Sequence, residues 1–294
     1  MKINKYSPDM KTNQNANSKE IGLDIGLIIG KHLFHTEHLH YGYWTKGLEV
    51  NIQNMPRAQE NYSNFIISQI PDGIKTILDV GAGGGKFAEK LINKDYQVDC
   101  VSPSPLLTRR AYELLGDRSH IFECKYENLQ TEKRYDLVLF SESFQYVNLV
   151  KALENSLKFL NKNGYLLISD FFKKENDSKC VIGGGHRLLT FLDLISQYPY
   201  KLMKDIDITK KTAPTLTIVN DFLADVGLPI WILVTDYLNN KYPLLARILL
   251  WKYRKRIKKI NRKYFSGARN AENFEIYKSY RLFLYKKMET ASPK

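Results

Sequence analysis

The residues with the clearest chemical meaning are the glycines of the stretch Ile77–Lys90, ILDVGAGGGKFAEK. A glycine turn between an apolar strand and a helix start lets backbone come close to a ligand. It also turns peptide N–H groups and the positive end of a helix toward the crevice at the strand's carboxyl edge. That is cofactor-binding chemistry. The dinucleotide fingerprint G-x-G-x-x-G, counted from Gly81 and Gly83, needs a third glycine where Lys86 stands, which weakens a nicotinamide reading. A second chemical group is the histidines His32, His35, His38 and His40, with Glu37 among them, in a stretch from Ile21 to Leu39 that reads as a helix. Steps of three residues drift round a helix by about 60° each, so these rings do not converge on one ion without a ligand from elsewhere. The expectation is a solvated or substrate-facing helix and no metal. The third group is Lys241–Lys263, with ten basic residues and no acid, in which Leu245, Leu249, Tyr253, Ile257, Ile260 and Tyr264 can share one face. Such a helix suits an anionic membrane surface or a nucleic acid backbone, or it packs its apolar stripe on the domain and leaves its charges solvated.

The elements that must position these residues follow from periodicity. Asn61–Ile70 reads as a helix stopped by Pro71-Asp72-Gly73, and Ile77, Leu78 and Val80 as a buried strand. Then come a helix to Asn93, a strand Gln97–Val101, a helix Pro105–Leu115, strands Ser119–Glu123 and Tyr135–Ser141, and a helix Val147–Asn161. A strand Tyr165–Phe171, a helix Arg187–Gln197 and a strand Tyr200–Ile208 complete the alternation. Alternating units imply right-handed crossovers and a mostly parallel sheet covered on both faces. From Thr212 to about Tyr277 the chain reads as helices interrupted at Gly227-Leu228-Pro229 and Tyr242-Pro243, before a last strand Ser279–Tyr285. Ahead of all this, HYGYW (His40–Trp44) packs rings and a glycine into an irregular segment, which covers a core edge or lines a pocket.

At 294 residues, 44% hydrophobic and 26% charged, the chain fits a soluble globular domain with an appended cap. Its net charge of +13 points to an anionic contact: membrane surface, nucleic acid or acidic substrate. Cys100, Cys124 and Cys180 are odd in number and widely spaced, with no CxxC pair, which argues against a disulfide framework and for a reducing cytoplasm. The first ~20 residues are polar and are expected to be loose, and Ile21–Gly30 is about half the length that spans a bilayer.

The pattern Asp79-Val80-Gly81-Ala82-Gly83-Gly84-Gly85 resembles motif I of the class I S-adenosylmethionine-dependent methyltransferases. The likeness extends through a second strand ending in CVSPSP, a fourth strand RYDLVLFSES, a fifth strand GYLLISD and a closing YRLFLYKK. It implies an α/β, Rossmann-like sheet of seven strands, mostly parallel with the last antiparallel. Residues 71–211 and 278–294 would form the core, 1–70 an N-terminal tail and helical cap, and 212–277 a helical lid before the last strand. The cofactor implied is S-adenosylmethionine. By the resemblance Gly81, Ala82, Gly83 and Gly85 flank its amino acid, and Asp79 orders the loop or meets the ammonium through water. Ser102 and Pro103 stand where an acid usually holds the ribose, a departure shared by sequences similar to cyclopropane fatty acid synthases, which Ser104-Pro105 also matches. Tyr126 and Glu127 would meet the adenine. Ser141, and Tyr43 from HYGYW, complete the cofactor set.

HYGYW, the helical insertion and Asp205–Thr215 (DIDITKKTAPT) also resemble methyltransferases acting on lipids, quinones, tocopherols and sterols. They imply a hydrophobic or amphipathic small-molecule acceptor, lipid, quinone or polyketide-like, with the basic segment 241–263 on an anionic membrane. The protein would be cytoplasmic and membrane-associated. Where the acceptor must lose a proton, the candidate bases are His186, in the loop Gly183-Gly184-Gly185-His186-Arg187, then Glu142, Tyr146 and His40. A nucleic acid methyltransferase is the second reading, motivated by charge, although SESFQY does not resemble the NPPY or DPPY signatures and no RNA-binding module accompanies it. A non-catalytic cofactor-binding protein is the third.

Overall fold

The computed structural model describes residues 18–175 and 180–289, with side chains from residue 26 onward and Lys263 excepted. The expected loose tail lies almost wholly outside the described residues. Seven strands form one sheet: β1 (Thr76–Val80), β2 (Gln97–Val101), β3 (Ile121–Phe122), β4 (Tyr135–Ser141), β5 (Leu160–Lys173), β6 (Tyr200–Asp207) and β7 (Lys278–Lys287). Their order is β3-β2-β1-β4-β5-β7-β6, with β7 antiparallel to both its neighbours and every other pair parallel. The mostly parallel sheet with an antiparallel last strand is therefore as expected. The topological reversal lies between β1 and β4, where the crevice of a doubly wound sheet opens.

The strands are apolar on both faces because both are covered. Ile77, Leu137, Leu139 and Leu167 face a core shared with α2 (Met55–Ile67), α3 (Lys86–Ile92) and α4 (Pro105–Leu115). Leu78, Val138, Phe140 and Ile168, one residue out of step, face α5 (Leu149–Phe159) and α6 (Leu188–Ile195). The period of two thus divides a continuous apolar run between two cores.

Two expectations need correction. The histidine helix ends early: α1 runs Ser18–Leu33, and His35 takes a left-handed φ of +52° while Thr36 N–H donates to Gly30 O at 2.9 Å. That terminal turn leaves only His32 of the four histidines on the helix and sends His35, His38 and His40 into an extended stretch across the sheet edge. Gly227-Leu228-Pro229 also fails to interrupt the helices. α7 (Thr209–Thr212), α8 (Pro214–Phe222) and α9 (Leu228–Lys241) continue through a π-helical segment, Leu223–Gly227, in which Leu228 N–H donates to Leu223 O. The extra residue in that turn accommodates Pro229, which has no N–H to give. The break at Tyr242 does occur, and α10 (Pro243–Tyr264) and α11 (Ala271–Tyr277) lead into β7.

Candidate active site

On the donor side of the crevice, the glycine turn is tied to the second strand. Gly81 and Ala82 N–H both donate to Val101 O (2.8 and 3.3 Å), and Gly85 N–H donates to Ala82 O (3.0 Å). Among the described hydrogen bonds, Gly83 and Gly84 are the turn amides that keep no protein acceptor. Gly81, at φ +79°, packs against Ser143, which itself donates to Val80 O, and a Cβ at Gly81 would overlap that of Ser143. The turn and the loop after β4 are therefore in direct contact, so backbone strain at one is felt at the other.

Asp79, on β1 just before the turn, is 2% exposed, and its Oδ2 is buried with no hydrogen-bond partner. Burial pushes its carboxyl up to about 7. An orphaned carboxylate oxygen is costly unless a cation or donor joins it, which is what the ammonium of an amino-acid cofactor brings. On the neighbouring strand Ser102 is buried, with Oγ accepting from Ser104 N–H at 3.4 Å, so its hydroxyl proton stays available, while Pro103 is exposed. Tyr126 departs from expectation. Its ring packs on Phe140 and Phe159, and its hydroxyl lies 3.1 Å from Ser156 Oγ, because the chain after β3 turns the side chain under β4. Its side chain belongs to the core. Glu127, half-buried, instead accepts from Asn148 N–H at 3.0 Å.

The acceptor side is a hydrogen-bond chain at the carboxyl ends of β4 and β5. Glu142, at φ +56°, accepts on Oε1 from Tyr41 N–H (2.6 Å) and Tyr280 O–H (2.8 Å). Tyr280 is joined to the Tyr62 hydroxyl (2.7 Å), which meets Ser169 Oγ at 2.9 Å and Ser141 Oγ at 3.4 Å. Burial, partly opposed by those two donors, raises the Glu142 carboxyl to about 8. Among the described hydrogen bonds, none uses Oε2. Tyr146 stands at the open rim, 64% exposed.

Two of the candidate bases are occupied elsewhere. His40 Nδ1–H donates to Tyr41 O (2.9 Å), leaving Nε2 to accept from Ser63 (3.2 Å), and burial lowers its pKa to about 3. His186 Nε2–H is shared between Phe144 O (3.0 Å) and Val147 O (3.1 Å). Both rings act as struts for backbone: His40 for HYGYW, His186 for the loop after β4. In HYGYW, Tyr43 stacks on Phe65 at 4.8 Å, and Trp44 is buried against Met55, Ala58 and Ile218.

Residues 78–168 match the family model of the methyltransferase domain. This stretch of the chain is a methyltransferase domain. A malonyl-[acyl-carrier protein] O-methyltransferase of Ilyobacter polytropus is 28% identical over 139 residues, 42% of this chain and 52% of that protein. A ubiquinone biosynthesis O-methyltransferase of Rickettsia bellii is 28% identical over 142 residues, 45% and 58% of the two chains. The chain thus spans about half the length of the curated relatives it matches. In structure it superposes on geranyl diphosphate C-methyltransferase of Streptomyces coelicolor with a TM-score of 0.59 and 15% identity, covering 93% of this chain and 99% of the other. At that identity the likeness concerns the fold.

Several residues of the domain were given no role in the site by sequence reasoning. Asp170 accepts from Gln145 N–H (3.0 Å), Gln145 Nε2–H (3.1 Å) and Phe171 N–H (2.8 Å), and Gly185 N–H donates to Gln145 Oε1 (3.3 Å). Gly184 and Gly185 both take φ above +80°, and a Cβ on Gly185 would stand 2.7 Å from Phe171 O, so the GGG run is what lets this loop close on Gln145. Gln59, on α2, grips the extended segment through Nε2–H to His40 O (2.5 Å) and accepts from Thr36 Oγ1. Arg269, between α10 and α11, has a buried Nε without a hydrogen-bond partner. Its guanidinium opposes the burial and the Glu142 charge that push the Tyr41 phenol up. Of these, the ISD end of β5 and the GGG run carried a signal. Tyr62, Tyr280 and Arg269 carried none, because only folding brings the two tyrosines into the chain of hydrogen bonds that ends on Glu142 and Arg269 to Tyr41.

Proposed function

We propose that the chain moves a methyl group from S-adenosylmethionine to a small hydrophobic or amphipathic acceptor of lipid, quinone or polyketide type. The observation that carries this reading is the pair of carboxyls at one sheet edge: Asp79, buried with an orphaned oxygen, and Glu142, half-buried with one oxygen fixed by two donors. When bound, the cofactor supplies an electrophilic methyl carbon, so the protein has to align the acceptor and exclude water. Asp79 and the Gly83 and Gly84 amides suit the amino-acid end, Ser102 and Pro103 the ribose side, and Ser141 the junction with the acceptor chain. Glu142 takes the proton of an acceptor hydroxyl through Oε2, and its pKa near 8 suits a base working close to neutral pH. Arg269, Tyr41 and Tyr146 border the acceptor, and the unpartnered Arg269 Nε favours one with an anionic or strongly accepting group. The relatives named for malonyl-[acyl-carrier protein] and for ubiquinone biosynthesis support O-methylation.

In this reading residues 71–211 and 278–294 are the catalytic core, 1–70 a cap, and 212–277 a lid over the acceptor, on the cytoplasmic side of a membrane that stores it. The cap and lid are joined at Thr215 Oγ1, which accepts from Gly42 N–H and Trp44 Nε1–H, both at 3.0 Å. Incubation with methyl-labelled cofactor and, separately, an organic-soluble extract and total RNA tests the assignment. Label in the organic fraction, lost in Glu142→Gln, is expected. Label in RNA selects the nucleic acid reading, and cofactor binding without any transfer selects the non-catalytic one.

A further inference from the structure

The helical rod α7–α9, Thr209–Lys241, is 33 residues long, contains an apolar stretch of mean hydropathy 1.6, and buries only 6% of that stretch inside the protein. Its first third is docked, since Thr212, Thr215, Leu216 and Ile218 are buried against the domain. Beyond Phe222 it projects away. α10 returns antiparallel beside it, and between the two helices Trp231, Val234 and Leu238 of α9 and Ala246, Leu249 and Tyr253 of α10 line an apolar groove. The outer faces have no such cover: Leu233 of α9 is 69% exposed, and Leu244 and Trp251 of α10 are 77% and 69% exposed. An apolar surface of this extent on a projecting hairpin marks an interaction site.

The chemistry of the partner is written along one stripe of α10. Leu244, Ile248, Trp251, Lys255, Lys258 and Arg262 recur at steps of three and four and so share a face. That face is apolar as far as Trp251 and cationic from Lys255 on. From Pro243 to Trp251 the one charge is Arg247, whereas Lys252–Arg262 carries seven cations, Lys252, Arg254, Lys255, Arg256, Lys258, Lys259 and Arg262, and no acid. Nine residues at about 1.5 Å each give roughly 14 Å, close to half of a ~30 Å hydrocarbon core. The apolar start of α10 is therefore too short to cross, and α9 brings Asp236, Asn239, Asn240 and Lys241 to the same end of the hairpin, so the hairpin suits the interface, with its exposed apolar face toward the acyl chains and its cations at the phosphates. A full span is excluded, because it would draw those seven cations into hydrocarbon.

We propose that the α9–α10 hairpin lies along the interface of an anionic lipid bilayer, with its exposed apolar face, Leu233, Leu244, Ile248 and Trp251, toward the acyl chains and its basic half on the headgroups. The proposal stands apart from the methyl-transfer reading, and its test uses no turnover. Two of the three tryptophans, Trp231 and Trp251, lie on the hairpin and the third, Trp44, is buried in the domain, so fluorescence reports the hairpin directly. Full-length protein is mixed with vesicles of phosphatidylcholine alone or with about 30% phosphatidylglycerol, and bound protein is measured by flotation. Binding to the anionic vesicles with a blue-shifted emission is expected, weakening as salt rises. Replacing Lys255, Lys258 and Lys259 by Ala should weaken binding about 100-fold, near fivefold per surface cation. Leu244→Ser with Ile248→Ser should abolish the blue shift while the weaker, salt-sensitive binding persists. All five side chains are exposed, and circular dichroism with S-adenosylhomocysteine binding controls for folding. The proposal is overturned by absence of binding to anionic vesicles at low salt, or by binding indifferent to both sets of substitutions. It is equally overturned by a dimer that Leu244→Ser and Ile248→Ser dissociate and that does not bind vesicles, which would assign the apolar face to a second copy.

Discussion

Asp79 offers a test of the donor site that needs no acceptor. In the free protein its carboxyl titrates near 7, raised by burial, and its Oδ2 has no partner. A ligand ammonium placed against that oxygen favours the carboxylate, so the bound pKa falls and binding must expel a proton. At pH 6 a group of pKa 7 is about nine-tenths protonated, so close to 0.9 proton should leave per ligand bound, falling to about 0.1 at pH 8. The same linkage makes the affinity rise about tenfold between pH 6 and pH 8. Titration calorimetry with S-adenosylhomocysteine, in buffers of different ionisation enthalpy, measures both quantities. Asp79→Asn should bind more weakly, release no proton and lose the pH dependence. The stability effect has the opposite sign. Because the folded pKa is raised, the native carboxyl contributes full stability below about pH 4 and loses it as pH climbs toward 7. An unfolded value of 3.8 against about 7 amounts to an upper limit of about 4 kcal/mol, which Asn should recover at pH 8 in urea unfolding of the free protein. Ligand affinity flat from pH 6 to pH 8, with no buffer-dependent heat, would refute the assignment of Asp79 to the ammonium.

Three further outcomes follow from the site. Glu142→Gln keeps both hydrogen bonds to Oε1 but removes the base. kcat/KM should drop by about 10²–10⁴, and the wild-type profile, rising about tenfold per pH unit up to its pKa near 8, should become flat. Gly81→Ala places a β-carbon on Ser143 at a left-handed φ of +79°, so a loss of about 2 kcal/mol or more in urea unfolding is expected together with weaker S-adenosylhomocysteine binding. Arg269→Met removes a buried nitrogen that has no hydrogen-bond partner. It also gives up the guanidinium's hydrogen bond with Tyr41 and its place 5.6 Å over the Tyr264 ring, and KM for an acceptor with a carboxylate or phosphate should rise about tenfold or more while cofactor affinity stays unchanged.

The parts of the fold that were legible share a cause, which is that their signal is local. β4 falls on Tyr135–Ser141 and α4 on Pro105–Leu115, residue for residue, because Ser104-Pro105 caps the one and an unbroken apolar run defines the other. Signals that depend on tertiary context misled. The histidines look helical by spacing, but Thr36 Oγ1–H donates to Gln59 Oε1 at 2.5 Å from a different helix, which holds the chain out of helical register after Leu33. Gly227-Leu228-Pro229 looks like a break, but a π turn costs less there than exposing the backbone of a helix that must reach Tyr242.

The site divides along the same line. Its donor half was readable because motif I is contiguous: strand, Asp79 and glycines lie within the ten residues Thr76–Gly85, and local φ preferences alone require that turn. Its acceptor half is assembled from Tyr41, Tyr62, Ser141, Glu142, Ser169, Arg269 and Tyr280, and no two of these but Ser141 and Glu142 are neighbours in sequence. What makes Glu142 a base is not its identity, since most glutamates titrate near 4.5, but the company that folding supplies. Two donors fix one oxygen, burial penalises the charge, and the net result is a carboxyl near 8. Tyr126 fails for the converse reason: its position matched a motif, but the turn after a two-residue β3 aimed its ring inward, against Phe140 and Phe159. A motif fixes where a backbone goes. Which way each side chain faces is decided by the core it would otherwise leave unfilled.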